Sequence, residues 1–136
     1  MLLIEQDAFI VMFLEDAFAR LGAEVRPVYD GVVAVTAMAE DPFDQVVLAL
    51  NPSAVPEAAD LLRRLSMFAP NPLPVLVTTG FQMTNAERQE IEAACTGPVG
   101  FVMKPFCDEE LALALIQASP PDLFGVPRGE DVRQRR

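Results

Sequence analysis

Five short apolar bursts, each followed by a stretch with helical spacing, run through this chain, and that rhythm leaves few folds open. Met1–Ile4 (MLLI) reads as a short strand. Asp7 is placed to cap a helix over Ala8–Leu21, whose inward stripe is predicted as Ile10, Phe13, Leu14, Ala17, Phe18 and Leu21; Gly22 ends it. Glu24–Tyr29 reads as a more polar edge strand and Gly31–Glu40 as a helix stopped by Pro42. Gln45–Leu50 (QVVLAL) is apolar almost throughout, as a central parallel strand covered on both faces must be.

The second half repeats the pattern. Pro56 suits the first turn of a helix running to Met67. Leu73–Thr79 (LPVLVTT) is another buried strand, and Thr84 with Glu87 spells a capping box for a helix to about Cys95. Val99–Met103 is the fifth strand, and Asp108 is read as the cap of a last helix to about Ala118. Five βα units in a row imply an α/β domain, with one parallel sheet, right-handed crossovers and helices on both faces. Chemistry in such a fold gathers at the carboxyl ends of the central strands.

Composition narrows that chemistry. The 136 residues contain no His and no Trp, and one Lys against nine Arg. Without His there is no Ser-His-Asp triad, no Cys-His pair and no HExxH zinc site, and the usual general base near neutral pH is missing. No nucleophile–base pair is visible, so no enzymatic activity is expected. Residues 1–119 carry six basic and seventeen acidic side chains, and an acidic body of that kind repels nucleic-acid backbones. Residues 119–136 read as a polar tail, with four Arg after Ser119. The longest apolar runs, Ala8–Leu14 and Leu111–Ile116, are too short to span a bilayer. Cys95 and Cys107 fit no metal spacing, and two Cys beside an ordinary core composition suggest a reducing cytoplasm.

The strand ends hold Glu5-Gln6-Asp7, Ala49-Leu50-Asn51, Thr78-Thr79-Gly80 and Lys104-Pro105. LLIEQD, the helix ending LG, Tyr29-Asp30-Gly31, PVLVTTG and FVMKPF sit together at separations that resemble the receiver domain of two-component response regulators, a bacterial signalling module. The resemblance covers residues 1–118. It implies a flavodoxin-like (βα)5 doubly wound sandwich with a five-stranded parallel sheet in the order 2-1-3-4-5. In that family an Asp ending the third strand accepts a phosphoryl group. Two acids after the first strand, that Asp and a nearby carbonyl hold magnesium. A Thr or Ser ending the fourth strand and a Lys ending the fifth meet the phosphoryl oxygens. Such an arrangement offsets and stabilises developing charge.

Carried over residue by residue, Glu5 matches the first acid, Thr79 the hydroxyl, Lys104 the ammonium, Asn51 the carbonyl position and Phe101 the switch aromatic. Gln6 replaces the second acid and Ala49 replaces the acceptor Asp. A methyl group takes no phosphate, and one carboxylate of three is a poor site for a hard cation. The resemblance therefore implies a pseudo-receiver with no cofactor and no bound metal. Lys104 is expected to pair with Glu5 in a half-buried pocket, and Thr79 to finish a strand. The resemblance also points to a cis Lys104–Pro105 bond, a state uncommon among X–Pro bonds at large.

What remains for function is surface. Phe9, Val11 and Met12 fall outside the predicted inward stripe of the first helix, where kinases and phosphotransfer proteins dock on receivers. Leu111 and Leu115, on the nearly all-apolar last helix, suggest a homodimer through the fourth helix, fifth strand and fifth helix. The expected role is a phosphorylation-independent adaptor, competitor or dimerising regulator in a phosphorelay, with a histidine kinase, phosphotransfer protein or other signalling protein as partner. The alternative is a sensor of a small anion or nucleotide around Lys104 and Thr79.

Overall fold

The structure, a computed structural model, describes residues 1–119. Beyond Ser119 the expectation of a polar tail lies outside the described residues. The strands are β1 (Leu2–Ile4), β2 (Arg26–Val28), β3 (Val46–Leu50), β4 (Val75–Thr79) and β5 (Val99–Met103). The helices are α1 (Ala8–Arg20), α2 (Gly31–Glu40), α3 (Val55–Phe68), α4 (Asn85–Ala94) and α5 (Asp108–Gln117). All pairings are parallel and the order is β2-β1-β3-β4-β5, as expected.

Strand alternation sends successive residues into two cores. Leu2, Val46, Leu48, Leu50, Val75 and Val77 face α2, α3 and α4. Leu3, Val47, Leu76 and Val102 face α1 and α5. Because both faces are covered, β3 and β4 need apolar side chains at nearly every position, which is why they read as unbroken runs. Gly100 sits where β5 meets α5: a Cβ there would run into the Ala114 carbonyl oxygen, so only glycine lets the helix pack this close.

Local chemistry sets the element ends. Asp7 accepts from the Phe9 and Ile10 N–H groups and starts α1, and Gly22 leaves it at φ +81°. The Thr84–Glu87 capping box opens α4. Cys107, not Asp108, is the cap residue of α5; its N–H donates to Glu110 Oε1 at 3.0 Å, so Asp108 is already inside the helix. β2 is three residues rather than six, since its ladder on β1 extends only over the three residues Leu2–Ile4.

Two helices sit in a different phase from the one expected. On α1 the sheet-facing stripe is Val11, Leu14, Ala17 and Phe18. Val11 is 4% exposed and belongs to the core, not to a surface patch. The spacing of 11, 14 and 18 keeps these side chains on one face, and that rotation pushes Phe13 out to 44% exposure. On α5, Leu111 and Leu115 are fully buried against β5, because helix and strand touch at Gly100. Neither side chain is available to a dimer partner.

Candidate functional site

The carboxyl ends of β1, β3, β4 and β5 bring Glu5, Ala49, Thr79 and Lys104 to one edge of the sheet, as the sequence implied. Glu5 follows β1 and is almost fully buried. Its Oε1 accepts from Lys104 Nζ at 3.1 Å. Its Oε2 accepts from the Gln6 N–H at 2.9 Å and the Asp7 N–H at 3.2 Å. Both oxygens are thus engaged, and the one lysine ammonium of the chain is held by the protein itself. The Lys104 N–H donates to the Thr79 carbonyl at 2.7 Å, tying the ends of β4 and β5 together, and the Lys104–Pro105 bond is cis.

Ala49 lies beside Thr78 in the β3–β4 register and is half-buried. The Thr78 hydroxyl is buried without a hydrogen-bond partner. Thr79 is more constrained than the sequence suggested. Its Oγ1 accepts from the Phe81 N–H and donates to the Phe81 carbonyl, both at 2.9 Å, folding the β4 exit back on itself. Gln6 and Asn51 are exposed. Phe101 is half-buried, with the Arg88 guanidinium 4.7 Å above its ring.

This donor set does not fit the magnesium that the intact receiver pattern would hold. Ala49 offers no side-chain oxygen, Gln6 offers no charge, and the Glu5 carboxylate already accepts from an ammonium and two N–H groups. The two donors that an anion would need are also engaged, Lys104 with Glu5 and Thr79 with Phe81.

Away from this edge, α1 exposes Phe9 (83%) and Met12 (63%). Phe13 adds to them and stacks on Phe106 with ring centroids 5.8 Å apart. The patch therefore survives with Phe13 in place of Val11. On the α4–β5–α5 side the exposed apolar residues are Met103 and Leu113, not Leu111 and Leu115.

Sequence reasoning missed a cleft between α2 and α3, about 510 Å3, lined by Tyr29, Val32, Val35, Ala58, Leu61 and the strand end at Ala49. The signal was present: α2 carries no charged residue from Gly31 to Ala39, unusual for a helix on the surface.

No protein-family model matches the chain, and no curated protein is significantly similar in sequence. Solved structures are similar in shape. The chemotaxis protein CheY4 of Vibrio cholerae superposes with TM-score 0.72 at 22% identity, over 87% of this chain and 96% of that one. A CheY-like receiver domain from Methylobacillus flagellatus gives 0.68 at 18%, over 87% and 96%. A two-component response regulator from Clostridium difficile gives 0.69 at 15%, over 85% and 90%. At these identities the likeness shows the fold: residues 1–119 adopt the flavodoxin-like, CheY-like architecture of response-regulator receiver domains.

Proposed function

We propose that this chain is a pseudo-receiver: a two-component or phosphorelay signalling module that works by protein–protein contact, without accepting a phosphoryl group and without enzymatic activity. One observation carries the reading. At the strand edge where the receivers it resembles hold an acceptor carboxylate, this chain has the Ala49 methyl, and Lys104 is bound to Glu5 instead. The frame is kept and the reactive group is gone.

The apolar face of α1, with Phe9, Met12 and Phe13 backed by Phe106, is the contact surface on this reading. Its partner is a histidine kinase, a phosphotransfer protein or another protein of the same relay. If the chain pairs with itself through α4, β5 and α5, Met103 and Leu113 are the residues available to do so. The test is a binding measurement against the histidine kinases and phosphotransfer domains of the source proteome. Binding by at least one is expected, with an affinity unchanged by acetyl phosphate and magnesium and lowered at least about tenfold by Phe9→Glu or Met12→Glu. An affinity that rises when a phosphodonor is present contradicts the reading.

A further inference from the structure

The α2–α3 cleft is separate from the α1 patch; at its inner end it reaches the strand edge at Glu5, Gln6, Ala49 and Asn51, and it runs outward from there between the two helices. Its apolar wall is continuous. Val32 is 79% exposed, Val35 and Leu61 are half-buried, and Tyr29 stands open at one end. Small residues keep it open: Ala54 and Ala58 line it, and at Gly31 a Cβ would lie only 3.3 Å from the Leu61 methyl groups. Its rim is acidic. Asp30, Glu57 and Asp60 border the cleft, and the single rim cation, Arg64, is held by Asp60 at 3.1 Å. The Glu5 carboxylate at the inner end is paired with Lys104, which leaves Asp30 and Glu57 as the rim carboxylates without an ion-pair partner among the described residues. An apolar wall between two helices, with these two carboxylates at the edges, is complementary to a helix with an apolar stripe and a basic remainder.

We propose that the α2–α3 cleft is a second docking site, and that its occupant is an amphipathic basic helix of a partner protein. The apolar stripe of that helix, spaced i, i+3, i+4 and i+7, lies against Val32, Val35 and Leu61. Its Lys or Arg residues meet Asp30 and Glu57. The rim charge sets orientation and rate of encounter, while the apolar floor sets residence.

The probe is a synthetic helical peptide with Leu at i, i+3, i+4 and i+7 and Lys elsewhere. It is titrated into the full 136-residue chain by nuclear magnetic resonance. Two control peptides are used: a scrambled one of equal composition and one with Glu in place of Lys. The expected result is shifts confined to residues 29–36 and 54–64, with binding at least about tenfold weaker for either control. Val32→Glu, at a position too exposed to disturb folding, weakens the stripe peptide by a similar factor, and Glu57→Lys weakens it in the same direction. Four outcomes overturn the proposal. The scrambled peptide binds equally well, which leaves only charge attraction; the shifts fall on α1; Val32→Glu has no effect; or the cleft signals move with protein concentration alone, which makes a second copy the occupant.

Discussion

Lys104 Nζ lies 3.1 Å from Glu5 Oε1, so the ammonium at the end of β5 is neutralised by the carboxylate at the end of β1. The Glu5 side chain is 7% exposed and that of Lys104 26%. Removing the lysine strands a buried carboxylate. Such losses reach about 3–5 kcal/mol for a fully buried pair, and the partial exposure of Lys104 reduces the expectation to about 1–3 kcal/mol. Lys104→Met is therefore expected to lower the urea midpoint, and adding Glu5→Gln to restore part of the loss. A lysine kept for an external ligand gives a neutral or stabilising Lys104→Met in the same experiment.

Thr79 makes two hydrogen bonds to Phe81 through one hydroxyl. Thr79→Val leaves the Phe81 N–H and carbonyl without that partner, and a cost of about 1–3 kcal/mol follows. Thr79→Ser keeps the hydroxyl and is expected to retain most of that stability. Equal stability of the Val and wild-type proteins in urea contradicts the structural role.

The two thiols are expected to react at different rates. Burial pushes the Cys95 thiol up to about 11, so its thiolate is scarce at neutral pH. Cys107 is exposed at the start of α5. A disulfide reagent at pH 8 is expected to modify Cys107 first and Cys95 slowly, as peptide mass mapping reads directly. Faster labelling of Cys95 contradicts the assignment.

Acid loosens the start of α5. The Arg20 guanidinium holds the Asp108 carboxyl below the usual carboxylate range, and the Cys107 N–H does the same for Glu110. A carboxyl lowered by folding contributes stability above its unfolded pKa and loses it as pH falls through the lower, folded value. The Leu111 amide, which donates to the Cys107 carbonyl at 3.0 Å, is therefore expected to lose protection only below the normal carboxylate range. Arg20→Gln raises the Asp108 titration toward the ordinary value by removing its hydrogen-bonded partner. An unchanged Asp108 titration in that variant contradicts the pairing.

Much of this was legible in the residues themselves. The βα rhythm gave the element order because β3 and β4, covered on both faces, must be apolar throughout. Ala49, Gln6 and Lys104, on which the proposed loss of phosphorylation rests, were legible by residue type alone. Helix phase was not legible. From Phe9 to Leu14 every side chain of α1 is apolar, so two stripes compete and only packing on Leu3, Val47 and Leu76 selects Val11 over Phe13. The same ambiguity hid Leu111 and Leu115 in the α5 sequence ELALALIQ. The Thr79 turn and the α2–α3 cleft depend on distances between segments remote in sequence or on backbone direction, and no periodicity encodes those.

Intact mass after incubation with acetyl phosphate and magnesium reads directly whether this chain accepts a phosphoryl group. No phosphoryl adduct is expected on the wild-type chain at any time, because Ala49 supplies no acceptor and Lys104 is held by Glu5. A stoichiometric, hydroxylamine-labile adduct contradicts it.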